Sequence, residues 1–357
     1  MKKSAPTISV SAYLSQFINA SSSGRRLTPA CKRIAPGTIL NYQYVQKLLL
    51  QFEQRVGHSL RIQLLHRASM ATLQKERKYW ARFYTQFASF LYKEKGYHDH
   101  YVKSTFKVLK SFFNYLQNDK GFSVGNYHKL FRTPLQNTAP VVLLPERLQF
   151  LISDKAFEEG LNIHLERAKD IFVFGCTVAL RVSDLMNLQK RNIVNTGDEV
   201  YLSICTKKTG TEIKIPLPAY AIDIIKKYKR VAGKYILPRL SVTNLNIQIK
   251  KLIEVAGWNY PLPKIISKKG KLIELKAADG KIWRFHQHIT AHTMRRTAIT
   301  TLLIMGVPEL MVRKLSGHAP ASKEFYKYVN IAQEYLNKEV LKAFNSLAET
   351  DFTLKTV

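Results

Sequence analysis

Residues 290–329 read TAHTMRRTAITTLLIMGVPELMVRKLSGHAPASKEFYKYV. His292 and Arg295 are three apart at the head of an apolar run, so on a helix they share a face. A guanidinium there can hold two phosphoryl oxygens in its fork while an imidazole one turn away handles a proton. The pair Gly317–His318 follows, although a histidine after glycine can also simply end a helix. Tyr326 and Tyr328 close the stretch. Taken singly, each of these features is ordinary.

Two earlier pieces extend the set. ALRVSDL, residues 179–185, places Arg181 after an apolar helical run from Ile171 to Leu180. A buried arginine is costly without an anionic partner, and a plain Arg181–Asp184 pair is the structural alternative. TKKTGTEIKIPL, residues 206–217, joins the alternating Val200, Leu202 and Ile204 to the alternating Ile213, Ile215 and Leu217. That pattern predicts a β-hairpin with Gly210 at its left-handed turn position. A lysine at such a tip can reach into a groove and give a proton to a leaving oxygen, although most turn lysines are merely solvated.

Composition favours a polyanionic partner. The chain has 357 residues, about two domains' worth, with 56 Lys+Arg against 25 Asp+Glu, a formal charge of +31. Such self-repulsion calls for a neutralising partner, and a hydrophobic content of 46% supplies real cores rather than a disordered basic tail. No run approaches the ~20 apolar residues of a membrane span, and MKKSAPTISVSAYLSQF lacks the apolar region of a secretory signal. Cys31, Cys176 and Cys205 are scattered, which excludes a disulfide framework or cysteine zinc site and fits a reducing cytosol.

The first part reads as helical. Thr38 is a candidate cap for a helix carrying Ile39, Tyr42, Val45, Leu49 and Phe52 and ending at Gly57. Trp80, Phe83, Tyr84, Phe87 and Leu91 define a second helix, and Val102, Phe106, Leu109, Phe113 and Leu116 a third. Opposite these faces, Lys75, Lys78 and Arg82 form one basic stripe, and Lys103, Lys107 and Lys110 another. They are either solvated faces or phosphate contacts. The region 122–143 loses periodicity and reads as a linker, and a new helix is expected from Leu144-Pro145-Glu146. Segment 264–288 looks like an extended hairpin or loop. The fold class expected is therefore mainly α with a small antiparallel β-sheet.

The order Arg, hairpin Lys, HxxR, Gly-His, Tyr resembles the tyrosine recombinase (phage integrase) family, in the style of integrases of mobile elements from Bacteroides-type bacteria. The resemblance implies a helical, SAM-like core-binding domain over 8–121, a linker over 122–143 and a catalytic domain over 144–357, closing as a C-shaped clamp on double-stranded DNA. It assigns Arg181, Lys208, His292, Arg295 and His318 to the catalytic set, with Asp184 supporting them. Lys208 rather than Lys207 fits the spacing to the I-P-L that ends the next strand. The family places its nucleophile nine residues after the Gly-His histidine, whereas the tyrosines here fall at eight and ten. F-Y-K-Y-V resembles the family's F-x-K-Y-I ending and favours Tyr328, with one residue inserted. Side chains two apart on a helix diverge by about 200°, so only one tyrosine can face the phosphate.

The resemblance further implies a 3′-phosphotyrosyl intermediate that stores the bond energy, so neither ATP, a metal nor another cofactor is needed. It implies a homo-tetramer on two DNA sites, an accessory DNA-bending or directionality protein, no membrane, and a place in the bacterial cytoplasm with the nucleoid. The tail 330–352 fits an amphipathic helix through Leu336, Val340 and Phe344, docked on a neighbouring copy or on its own domain. A type IB topoisomerase and a DNA-binding architectural protein with a dead site are the competing readings.

Overall fold

The computed structural model describes residues 6–134, 139–205, 212–319 and 322–349, with side chains to 346. They form two compact units: Met1–Asn137 with Ile265–Glu274, and Thr138–Lys264 with Leu275–Val357.

The first unit contains β1 (Thr7–Ser9), α1 (Val10–Ser22), α2 (Pro36–Val56), β2 (Arg61–Gln63), α3 (Met70–Ser89) and α4 (Asp99–Asn118). Helix α2 starts two residues before the expected Thr38 because Pro36 occupies its first turn. It ends as expected at Gly57, whose φ of 74° takes the left-handed cap. Helix α3 is capped by the Ser69 hydroxyl, which accepts from the Thr72 amide, and passes into one π-helical turn, Phe90–Glu94. The expected apolar faces meet in one aromatic core: Phe52, Trp80, Phe87, Phe106 and Phe113 are all buried. Val124 and Phe131, from the region of lost periodicity, are buried in the same core. One carboxylate is built into it. Glu76 accepts from Arg61 Nη1 at 2.8 Å, Trp80 Nε1 at 3.0 Å and the Gln63 amide at 3.2 Å, pinning β2 to α3.

The second unit opens with α5 (Pro145–Ser153), proline in its first turn as expected, then α6 (Lys155–Glu159) and α7 (Ile163–Val178). Asn162 caps α7 by accepting two amide hydrogens at 3.0 Å. The helix stops at Val178 rather than running to Leu180, because Ala179 turns left-handed at φ 55°. Arg181 therefore leaves the helix and caps a single turn, α8 (Val182–Leu185). The expected hairpin is present as β4 (Glu199–Cys205) and β5 (Glu212–Pro216), with Leu202 facing Ile215 and Ile204 facing Ile213. A strand that the pattern did not reveal, β3 (Ile193–Thr196), pairs antiparallel with β4. Residues 206–211, hence Lys207, Lys208 and Gly210, lie outside the described residues. Helices α9 (Ala219–Lys227) and α10 (Val242–Val255) follow.

Strands β6 (Lys264–Lys268) and β7 (Lys271–Leu275) make the hairpin expected within 264–288. Lys269 and Gly270 both have positive φ, 53° and 77°, which is the two-residue turn that suits hairpin twist. The hairpin groups with the first unit through Asp99, which is fully buried. Its carboxylate accepts from Tyr92 at 2.6 Å, the Lys269 amide at 2.7 Å, the Gly270 amide at 2.9 Å and the Ser267 hydroxyl. Burial alone would raise the Asp99 pKa, but those hydrogen bonds outweigh it and hold the group below its ordinary value. Because the folded pKa is the lower one, this stabilisation is complete above the ordinary carboxylate pKa of ~4 and is lost only as pH falls below it. Asp99→Ala is expected to speed amide exchange in 265–274 at least ~30-fold at pH 7, from loss of roughly 2 kcal/mol or more. Unchanged exchange there would show that Asp99 does not hold the hairpin.

The chain ends in α11 (Phe285–His288), α12 (Ala291–Ile304), α13 (Glu309–Ser316) and α14 (Tyr326–Glu349). Helices α7 and α12 pack at Gly175, where an added Cβ would fall 2.4 Å from Met294 Sδ. This close approach brings the turn bearing Arg181 against the helix bearing Arg295. The tail is the continuous helix α14, with Leu336, Val340 and Phe344 exposed rather than packed on their own unit.

Candidate active site

Arg295 rises from the second turn of α12 and is almost entirely buried. Its Nη1 donates to the carbonyl of Ala179 at 2.9 Å, so the left-handed residue that ends α7 also anchors the guanidinium. Its Nη2 lies 3.3 Å from Nδ1 and 3.4 Å from Nε2 of His318. Burial and the neighbouring Arg181 charge push Arg295 down to about 10, only partly opposed by Tyr328 and Asp184. Arg181 has a buried Nη1 that finds no hydrogen-bond partner among the described residues. Two guanidiniums that repel each other, one with an idle buried donor, make a seat for an oxyanion.

His318 follows Gly317, which takes the left-handed cap of α13 at φ 61°. The Ser316 hydroxyl lies 2.8 Å from His318 Nδ1 and 2.6 Å from the Val312 carbonyl, clamping one edge of the ring. Ser316, fully buried, is a site residue that the sequence reading missed; its only signal was its place two before the histidine. Burial, then the charges of Arg295, Arg181 and Arg313, bring His318 down to about 4. His292, at the start of α12, has an exposed side chain. Partial desolvation of the ring by its surroundings, with the charges of Arg296, Arg295 and Arg181, lowers its pKa as well.

The two tyrosines part company on α14. Tyr328 is 8% exposed and packs with Phe325, Ala179, Ala298 and Ile299, its ring centroid 6.1 Å from that of His318. Tyr326 is 54% exposed and lies outside that cluster. The structure thus brings Arg181, Asp184, His292, Arg295, His318 and Tyr328 to one locality, while Lys208 lies outside the described residues.

Both histidines have folded pKa values below the ordinary imidazole value of ~6.5. Between there and about 4 the unfolded chain binds more protons than the fold, so stability is full above that window and falls as pH drops through it. His318→Asn is expected to flatten this loss by about 1–2 kcal/mol in denaturation series from pH 7 to 4. An unaltered pH slope would contradict the buried, neutral imidazole.

In the first unit, Lys75, Lys78, Arg82, Lys103 and Lys107 are exposed and Lys110 is partly so. Lys103, Lys107 and Lys110 line a shallow hollow of about 440 Å³ with Arg132, Phe106 and Phe131. The acidic group that could hold a cation in the second unit, Glu158, Glu166 and Asp170, is already filled. Lys227 Nζ reaches all three at 3.0, 2.5 and 2.8 Å, and Lys169 reaches Glu158 at 2.9 Å. An ammonium at the centre of three carboxylates makes this an internal ion-pair network, unsuited to a metal.

Residues 162–334 match the phage integrase family, a span that carries both arginines, both histidines and both tyrosines. That span is a domain of the phage integrase family of tyrosine recombinases. The fold agrees. A lambda integrase fragment, residues 75–356, solved as a dimer on a core site, is 16% identical and superposes with a TM-score of 0.56, covering 90% of this chain and 95% of that one. The Tn1549 transposon integrase with transposon right-end DNA is 14% identical, at TM-score 0.55 over 90% and 94%. The XerH recombinase, in a post-cleavage complex on a palindromic difH substrate, is 13% identical, at 0.56 over 92% and 94%. No curated protein matches the sequence. The recombinase is mainly helical with small antiparallel sheets, as expected, and no helix among its described residues is long and apolar enough to cross a membrane.

Proposed function

We propose that the recombinase cleaves and rejoins specific DNA sites by attack of the Tyr328 phenol oxygen on a backbone phosphorus. The new bond is a 3′-phosphotyrosyl ester and the bond that breaks releases a 5′-hydroxyl. One diester replaces another, so resealing needs no ATP, metal or other cofactor. The observation that carries this reading is the burial of Tyr328 beside His318 while Arg295 and Arg181 hold an anion seat with an idle donor.

Each residue has a role that its surroundings favour. Arg181 and Arg295 clamp the non-bridging oxygens as the phosphorane gains charge. His318 is neutral in the free enzyme, and an arriving phosphate favours its protonated form. The imidazolium then donates to an oxygen through Nε2 while Ser316 holds Nδ1. His292 assists removal of the tyrosine proton, and Asp184 offsets part of the positive charge. Lys208 is the general acid for the departing 5′-oxygen.

In the first unit, Lys103, Lys107 and Lys110 around their hollow, with Lys75, Lys78 and Arg82, contact phosphates of double-stranded DNA. Such contacts position the protein and make binding fall steeply with salt. The exposed Leu336, Val340 and Phe344 of α14 suit docking on a second copy, as a homo-tetramer joining two sites would require. An accessory bending or directionality protein, and action on nucleoid DNA in a bacterial cytoplasm, complete the reading. A nicked suicide duplex carrying the target site, incubated in EDTA without nucleotide, is expected to yield an SDS-stable protein–DNA adduct. Tight, salt-sensitive binding without any adduct would favour a DNA-binding protein with a dead site.

A further inference from the structure

Arg313 is a buried cation that the chemistry above does not use. It lies on α13, 5% exposed, and its Nε donates to Glu309 at 2.7 Å. Its Nη1 reaches forward to the carbonyls of Ala319 at 3.4 Å and Ser322 at 3.3 Å, both within the connection from His318 to α14. Its guanidinium carbon lies 4.1 Å from the ring centre of Phe325 and 5.2 Å from that of Tyr326. Phe325 in turn is fully buried and meets both His318 and Tyr328 edge-on, at 5.3 and 5.9 Å. One side chain thus touches the connection, the wedge behind the site and the competing tyrosine.

This contact set bears on the unusual spacing of ten residues from His318 to Tyr328. A connection of that length can deliver the first turn of α14 in more than one rotation, and the two tyrosines are about 200° apart on it. We propose that Arg313 is a positioning residue that selects the nucleophile, gripping the Ala319 and Ser322 carbonyls and the Phe325 and Tyr326 rings so that Tyr328, not Tyr326, faces Arg295 and His318. The inference rests on the reading that a tyrosine attacks the phosphate. It adds that the choice between tyrosines is made from α13. Arginine suits the task because its planar fork serves a carboxylate, two carbonyls and two ring faces at once, which lysine cannot.

The test compares wild type, Arg313→Met and Arg313→Lys on a nicked suicide duplex, with adduct rate, DNA affinity and the modified peptide all measured. Arg313→Met is expected to form adduct about 30–100-fold more slowly, since a misplacement of ~1 Å can cost that much. DNA affinity should stay within about threefold, and a measurable share of the adduct should map to Tyr326. Arg313→Lys should be slowed about tenfold and remain on Tyr328. In a Tyr328→Phe background, a Tyr326 adduct should appear only when Arg313 is also replaced. Wild-type rates on Tyr328 alone in both variants would overturn the proposal, and Arg313→Lys decides the matter if Arg313→Met fails to fold. Amide exchange over 322–330 reads positioning without chemistry: faster exchange in the variants is expected, and unchanged exchange overturns the proposal even if wild type forms no adduct. Wild type without adduct but variants with faster exchange would sink the strand-cleavage reading and leave the positioning role standing.

Discussion

Arg295→Ala is expected to slow strand cleavage by at least ~10²–10³-fold while DNA affinity changes little. Its guanidinium is already held by Ala179 and His318 without any substrate, so under the proposed chemistry it would stabilise the transition state without reorganisation. Protein–DNA contacts are in general mostly to backbone groups spread along the duplex, so loss of one buried side chain should change affinity little. Folding should also weaken by about 1–3 kcal/mol, because the Ala179 carbonyl loses its donor at the turn that ends α7. Arg295→Lys keeps the charge but not the fork and should recover only part of the rate. Single-turnover cleavage, gel-shift affinity and urea unfolding on the same samples separate the three effects. Near wild-type cleavage by Arg295→Ala would remove Arg295 from the anion seat.

The second large effect has opposite signs for stability and activity. Arg181→Met is expected to abolish measurable cleavage yet raise the stability of the DNA-free protein by about 0.5–2 kcal/mol. In the free protein Arg181 repels Arg295 and keeps a buried Nη1 without a partner among the described residues. Methionine removes the repulsion and the orphan donor together while keeping much of the volume. Stabilisation by a bound duplex follows RT ln(1 + [L]/Kd), and since one arginine makes a small part of the DNA contacts the variant should keep most of it. Thermal melts of the DNA-free protein and single-turnover cleavage read the two signs. A variant less stable than wild type without DNA would show Arg181 to be a structural arginine.

Much of this was legible in the chain. Three- and four-residue spacing located α2, α3 and α4, alternation located β4 and β5, and the separated Arg, HxxR, Gly-His and Tyr pieces did converge. What escaped was decided by contacts distant in sequence or by backbone geometry. Strand β3 has mostly exposed residues, so no apolar alternation marks it. Ala179 has no sequence feature that announces a left-handed residue, yet it ends α7 two residues early and receives Arg295. The Asp99 carboxylate that gathers residues 265–274 acts across 168 positions to Ser267. Ser316 and Arg313 read as an unremarkable helix end, because their roles depend on where His318 and Phe325 lie in space. The rivalry between Tyr326 and Tyr328 could be posed from helical angle, the F-Y-K-Y-V ending favoured Tyr328, and Tyr328 is the buried one of the two.

The proposed chemistry requires one phenol oxygen, that of Tyr328, to meet the anion seat. Its most direct measurement is mass spectrometry of the peptide left joined to a trapped suicide duplex, from wild type, Tyr328→Phe and Tyr326→Phe. A nucleotide-modified Tyr328 is expected in wild type and Tyr326→Phe, with no adduct from Tyr328→Phe. An adduct on Tyr326, or an undiminished adduct from Tyr328→Phe, would contradict it.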